Sequence, residues 1–249
     1  MNVLILAAGY ATRLYPLTLN KAKPLLVVGG KPIIEWLVDN LAGIPDLETI
    51  YVVTNDKFAA DFQAWSQSYQ KRHPEFNFKI VNDGSTGDDD KLGAIGDISF
   101  VVTQENLSQT SLLIAAGDNL FTDSLANFVA TAMNSEVTVA VYDVGDIEAM
   151  KKYACVTTDA SGVITTFEEK PQKPTTTLAA IALYYYSRGV LPLFVTYLAS
   201  GNNPDQPGRF LQWLYLRKPV KTFEIKGQWL DIGSKETLEN ADGILRAPH

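Results

Sequence analysis

The sequence predicts an α/β protein built as a single three-layer α/β/α, Rossmann-like domain over residues 1–249, with a mixed, mainly parallel sheet. Three observations lead there. Apolar runs of strand length alternate with stretches of helical periodicity through the first half. Hairpin-like patterns replace that alternation after about residue 150, which adds antiparallel ribbons. No stretch approaches the roughly 20 apolar residues that span a bilayer.

The elements follow in order. Asn2–Ala7 is a continuous apolar run ending near Gly9, the mark of a strand buried on both faces. Pro32 to Leu41 reads as a helix with proline in its first turn. Thr49–Thr54 is a second buried strand. Phe58, Phe62, Trp65 and Tyr69 recur at helical spacing, so a helix buries that face. Asn77–Val81, Ser111–Ala116 and Val137–Val144 complete the strands of the first half. Tyr153–Thr158 and Val163–Glu168 flank Asp159-Ala160-Ser161-Gly162, a hairpin turn. Leu178–Tyr186 is a further strand, Val190–Ala199 and Phe210–Leu216 are helical, and Ser200–Gly208 is a polar loop. Val220–Ile225 and Ser234–Leu245 read as the last strand and the last helix. In sheets of this type ligands bind beyond the carboxyl ends of the strands. The loops that matter therefore follow Ala7, Val81, Ala116, Glu168 and Ile225.

Composition narrows the function. The chain is 46% hydrophobic and 20% charged, with a net charge of −7 and a pI near 4.9. Long nucleic acid is repelled by such a balance, whereas a small phosphorylated ligand in a local basic pocket is not. Cys155 is the sole cysteine, which excludes an internal disulfide and a zinc cluster and suits a reducing cytoplasm. The apolar start lacks the basic flank of a signal peptide. A cytoplasmic protein without a membrane partner is expected, and a homo-oligomer is left open.

The loop after the first strand runs Ala8-Gly9-Tyr10-Ala11-Thr12-Arg13-Leu14-Tyr15-Pro16-Leu17-Thr18, with Lys23 soon after. Small residues allow close backbone approach, and successive N–H groups can face phosphate oxygens. Arg13 offers a planar cationic fork and Lys23 a point charge. The stretch is neither the P-loop nor the dinucleotide fingerprint. On composition alone it reads as readily as a tight strand-to-helix connection with a surface arginine. Asp118, in Ala116-Gly117-Asp118-Asn119, and Asp231, in Trp229-Leu230-Asp231-Ile232-Gly233, both follow strand-like runs. Two carboxylates at one sheet edge could hold a hard cation such as Mg²⁺. Each alone is equally a turn or a helix cap. Asp88-Asp89-Asp90 lies in a Gly/Ser/Thr-rich loop and reads as a solvated run. His73 and His249 fall outside every motif.

Taken in order, Leu6-Ala7-Ala8-Gly9-Tyr10-Ala11-Thr12-Arg13-Leu14-Tyr15-Pro16-Leu17-Thr18, then Lys23-Pro24-Leu25-Leu26, then Gly30-Lys31-Pro32-Ile33-Ile34 closely resemble the opening of the sugar-1-phosphate nucleotidylyltransferases. Later elements match too, so the resemblance covers nearly the whole chain. It implies transfer of a nucleoside monophosphate from an NTP to a sugar 1-phosphate, with release of pyrophosphate and Mg²⁺ as cofactor. Residues 1–150 would form the nucleotide-binding half and 151–249 the sugar-phosphate half.

The resemblance assigns Leu6, Ala8, Gly9, Tyr10, Ala11, Thr12, Arg13 and Lys23 to the nucleotide. Asn82 and Gly93 fall where the family reads the base, with a pyrimidine favoured. Asp118 and Asp231 become the metal ligands. Asn119, Ala154, Glu169, Lys170 and Ala182 face the sugar phosphate, Lys170 through the phosphate and Glu169 through hydroxyls. Arg13, Lys23, Asp118, Lys170 and Asp231 carry the chemistry.

Departures bear on this. Ala11 replaces the family's second glycine. Ala154 and Ala182 stand where glycines are frequent, and Gly208-Arg209-Phe210-Leu211 replaces an acceptor-side element. They keep open another phosphomonoester acceptor such as phosphocholine, and a non-catalytic nucleotide-sugar binder. A metal-dependent glycosyltransferase would carry an Asp-x-Asp pair where this chain has Gly117-Asp118-Asn119. No hexapeptide repeat is present, so no fused β-helix is expected.

Overall fold

The computed structural model describes residues 1–246. In chain order the strands are β1 (Asn2–Leu6), β2 (Val27–Val28), β3 (Lys31–Pro32), β4 (Ile50–Thr54), β5 (Phe78–Asn82), β6 (Leu112–Ala116), β7 (Asn119–Phe121), β8 (Val137–Asp143), β9 (Ala154–Thr158), β10 (Ile164–Glu169), β11 (Leu178–Tyr186), β12 (Lys221–Glu224) and β13 (Trp229–Asp231). The α-helices are α1 (Ile33–Asp39), α2 (Ala59–Arg72), α3 (Ala94–Gln104), α4 (Ala126–Ala132), α5 (Pro192–Ala199), α6 (Pro207–Leu214) and α7 (Lys235–Arg246). The α/β class with a mixed sheet is the one expected.

The chain divides into two compact units that are interleaved in sequence. The first holds Met1–Lys91, Ala115–Ala126 and the described residues from Gly227 onward; the second holds Leu92–Ile114 and Asn127–Lys226. The division runs through β6 rather than falling at residue 150. Asp231 therefore folds with the N-terminal loops.

In the first unit β1, β4 and β5 lie side by side and parallel, Val3 opposite Ile50 and Ile50 opposite Phe78. Residues of β1 and β4 are buried almost throughout, as their unbroken apolar runs require. Phe62, Trp65 and Tyr69 of α2 are buried, with Phe58 in the 3₁₀ turn ahead of it. At the end of that helix His73 stacks on Tyr69 at 4.4 Å; His249 lies outside the described residues. Two short ribbons were not foreseen, β2 with β3 and β7 with β13. Leu26, Val28, Ile33, Leu120, Ile232 and Ala241 form one core cluster that ties both ribbons to α1 and α7.

In the second unit the strand order is β12, β8, β11, β9, β10. Pairing is parallel between β12 and β8 and antiparallel elsewhere. The expected hairpin joins β9 to β10: Gly162 takes φ 75°, and the Asp159 carboxylate accepts from the N–H groups of Ser161 and Val163. Helices α3 and α4 escaped the sequence reading. Helix α6 begins at Pro207, inside the stretch read as loop, because proline suits the first helical position. Its Phe210 stacks on Phe194 at 3.9 Å and meets Tyr186 edge-on. Each such fully buried aromatic contributes about 1.5–3 kcal/mol.

Candidate active site

The first unit gathers the nucleotide-side candidates around the carboxyl end of β1. The Ala7 N–H donates to Val53, and the Ala8 carbonyl accepts from Asn55 Nδ2 at 2.8 Å. Asn55 is fully buried, and its other side-chain atom accepts from the Phe58 N–H. One amide thus fixes the loop start and caps the turn after β4. Sequence reasoning passed it over, although it stands at the carboxyl end of the second strand, where the same rule points. Gly9 is exposed with open space around it, as close approach of a ligand requires.

Ala11 has φ 49° and ψ 43°, the left-handed region. The family's glycine has its physical reason here: only glycine enters that region without steric cost. The alanine is held there by its carbonyl, which accepts from the Leu14 N–H at 2.9 Å and from Thr18 Oγ1 at 2.8 Å. Thr12 and Arg13 follow in a 3₁₀ turn and are exposed. Tyr10 turns inward and is buried. Burial pushes its phenol up, helped by the carboxylates of Asp90, Asp83 and Asp56, while the Ser85 hydroxyl opposes them. Only the backbone of Tyr10 is left to face a ligand.

Lys23, Asp118, Asn119 and Asp231 come together in this unit. Lys23 Nζ sits 2.5 Å from Asp118 Oδ2 and donates to the Ile232 carbonyl at 2.8 Å. Asn119 Nδ2 donates to Asp118 Oδ1 at 2.9 Å, and Asn119 Oδ1 accepts from Trp229 Nε1 at 2.7 Å. Asp231 pairs with Asn119 across the β7–β13 ribbon, one register position from Asp118. The Ile232 N–H closes that end on the Asp118 carbonyl at 3.2 Å. Gly117 is required by crowding. Its N–H donates to Leu6, and a Cβ there would lie 3.0 Å from the Leu6 carbonyl and 3.1 Å from Pro24. The Gly-Asp-Asn turn is therefore pinned to β1 and to the Lys23-Pro24 segment.

This donor set fits a magnesium ion. Among the described residues no group of three or more His, Cys, Asp or Glu could hold a metal. Mg²⁺ takes one or two carboxylates and fills its octahedron with water and substrate phosphate oxygens, so two aspartates suffice. Asp118 already accepts a cation, the Lys23 ammonium.

On the base side, Asn82 is exposed and its amide is engaged. Nδ2 donates to Asp56 at 2.8 Å and Oδ1 accepts from the Gly84 N–H at 2.9 Å, an Asx turn. Asp90 accepts from the N–H groups of Thr86 and Gly87, which hold its carboxyl below the usual range, and Asp88 pairs with Lys91. The acidic run organises its own loop.

The second unit carries Gly93, the other base-side candidate, and the acceptor-side candidates apart from Asn119. Gly93 caps α3 at φ 77°, and a Cβ there would lie 2.7 Å from the Pro204 carbonyl, which accepts from the Ile95 N–H. Ala154 is buried and pairs with Glu169 on one side and Ala180 on the other. Ala182 falls where the β11–β8 register shifts, between Ala180 and Tyr184, a place for small residues. Lys170 is exposed and takes φ 49°, its N–H donating to the Tyr153 carbonyl. Burial pushes the Glu169 carboxyl up, against the pull of Lys170 and Arg209.

The family model described as nucleotidyl transferase matches residues 2–246. The bifunctional protein GlmU of Methanocaldococcus jannaschii is 26% identical over 245 residues, covering 98% of this chain and 54% of that protein. A glucose-1-phosphate thymidylyltransferase of Neisseria meningitidis is 28% identical over 256 residues, 99% of this chain and 83% of that one. The chain spans little more than half the length of the first curated relatives it matches. A UDP-glucose pyrophosphorylase solved with UDP-glucose superposes with a TM-score of 0.80 at 21% identity, over 98% of this chain and 97% of that one. That likeness shows the fold, the three-layer α/β/α class expected. No helix among the described residues is long and apolar enough to cross a membrane.

Proposed function

From the membership of this chain in the nucleotidyl transferase family, we propose that it transfers a nucleoside monophosphate from an NTP to a sugar 1-phosphate. The observation that carries the reading is the joining of Lys23, Asp118, Asn119 and Asp231 at one end of the β7–β13 ribbon. A non-catalytic binder would have no use for two aspartates and a lysine at that end of the ribbon. Relatives named glucose-1-phosphate thymidylyltransferase support a pyrimidine donor and a hexose phosphate acceptor.

An anionic oxygen of the acceptor phosphate attacks the α-phosphorus in line. A new phosphorus–oxygen bond forms as the bond to the bridging oxygen of pyrophosphate breaks. The attacking oxygen is already ionised, so no general base is called for, and the histidines lie outside the site motifs. Positioning and charge stabilisation supply the rate. The loop from Leu6 to Arg13 presents backbone N–H groups and the exposed Arg13 to the triphosphate. Lys23 neutralises charge as pyrophosphate departs. Lys170 holds the acceptor phosphate and Glu169 its hydroxyls. Magnesium, held by Asp118 and Asp231, would supply charge neutralisation at the phosphates.

Pyrophosphate release measured over a panel of triphosphates and phosphomonoesters tests the reading. Turnover is expected with a sugar 1-phosphate and magnesium, and Asp118→Ala should lower it by at least about a hundredfold. Release with phosphocholine alone, or full activity in Asp118→Ala, would overturn the assignment.

A further inference from the structure

Helix α6 opens Pro207-Gly208-Arg209. Gly208 is buried, and a Cβ built on it would lie 2.0 Å from Glu169 Oε2 and 3.0 Å from Glu169 Cδ. No other glycine among the described residues meets a side chain so closely. The end of the Glu169 side chain thus rests in the space that any other residue at 208 would fill. Gly208 does not need glycine for its backbone, since its φ lies outside the left-handed region. Nor does the helix favour it, since glycine is the poorest helix former after proline. What it provides is room.

The surroundings explain the seat. The seat lies at the first turn of α6, the positive end of the helix dipole, and that turn holds no acidic residue of its own. Arg209 adds a positive charge near Glu169, its Nε held by Gln206 at 2.9 Å. Phe167 stands 3.5 Å from the position that the new Cβ would take, and the buried Tyr184 lies close enough to feel the Glu169 charge. On the β9 side Glu169 pairs with Ala154, whose methyl group adds little bulk.

We propose that Gly208 is an acceptor-side positioning residue: by lacking a side chain, it seats the Glu169 carboxylate against the start of α6, where that carboxylate reads acceptor hydroxyls. The proposal rests on the sugar-phosphate role given to Glu169 above. Gly208 itself need not touch the substrate.

The atom that a new methyl group meets is the free end of a flexible side chain, so Gly208→Ala should evict the carboxylate and leave the helix folded. The test is a double-mutant cycle over Gly208→Ala, Glu169→Ala and the pair, with KM for each substrate, kcat and thermal midpoint. The acceptor KM should rise about tenfold in each single variant, as for loss of a hydrogen bond to a charged group. It should rise no further in the pair, while the NTP KM stays within about twofold. Carboxyl ¹³C NMR of Gly208→Ala should show the Glu169 titration falling back toward the ordinary carboxylate range.

An unchanged acceptor KM in Gly208→Ala beside a raised one in Glu169→Ala overturns the proposal alone. So does a Gly208→Ala penalty that persists without Glu169, or a Glu169 titration that does not move. An unchanged acceptor KM in Glu169→Ala removes the sugar-side role of Glu169, and this proposal with it.

Discussion

Replacing Ala11 by glycine separates backbone strain from ligand fit in the first loop. Ala11 sits at φ 49°, ψ 43°. A left-handed conformation costs an L-residue roughly 1–2 kcal/mol. Glycine removes that cost but gives back about 0.4–1 kcal/mol through the greater freedom of its unfolded chain. The net is between about 0 and +1.5 kcal/mol in favour of Ala11→Gly. At about 2–4 °C per kcal/mol for a chain of this size, the thermal midpoint should rise by no more than about 6 °C. The two hydrogen bonds to the Ala11 carbonyl, from Leu14 N–H and Thr18 Oγ1, survive the change. The loop already has the backbone shape a glycine would give it, so the NTP KM should stay within about threefold. Scanning calorimetry and initial-rate kinetics decide. A fall in midpoint of more than about 3 °C would show that the methyl group packs favourably and that the strain argument is wrong. A tenfold tightening of NTP, about 1.4 kcal/mol, would show that it obstructs a phosphate.

Asn55→Ala should leave the Ala8 carbonyl and the Phe58 N–H without their buried partner, a loss of about 1–3 kcal/mol read as a lower midpoint in urea or heat, with the NTP KM raised. Wild-type stability would show the amide to be dispensable. Lys170→Ala should raise the acceptor KM and leave the NTP KM alone; the reverse pattern would mean the two substrate sides are assigned backwards. Glu169 has a raised carboxyl pKa in the folded chain. Below its unfolded value it is protonated in both states and costs nothing; above the folded value the buried charge disfavours folding. Glu169→Gln should therefore gain stability relative to wild type as pH rises through the folded pKa. A pH-independent difference would refute the burial argument.

Strands with unbroken apolar runs, such as β1 and β4, were legible because burial on both faces leaves composition no freedom. The 159–162 hairpin was legible because its turn demands Asp and Gly. Helix α3 was not: Ala94–Gln104 contains Gly96, and its cap is Gly93, whose need comes from the Pro204 carbonyl far along the chain. The β7–β13 ribbon was hidden for the same reason, since strands of three residues carry no periodicity and each needs the other. At the site, charged residues inside a motif were visible one by one. The pairing of Lys23 with Asp118 and the seat of Glu169 over Gly208 are long-range facts that no local spacing records.

Backbone strain offers an independent check on where function lies. Among the described residues, Ala11, Asp46, Asn106 and Lys170 are the non-glycine positions with positive φ. Asp and Asn tolerate that region, because their short polar side chains bond locally, so Asp46 and Asn106 call for no special cause. Alanine and lysine do not tolerate it, and each must be held against a cost of about 1–3 kcal/mol. Those two are the residues placed on the triphosphate loop and on the acceptor phosphate. Each is held by a hydrogen bond from or to its own backbone, Ala11 through its carbonyl and Lys170 through its N–H to Tyr153. Relief of strain at neither position would disturb the core. Two costly left-handed residues kept in the two segments proposed above to meet phosphate are what a functional constraint would retain and what selection for stability alone would remove.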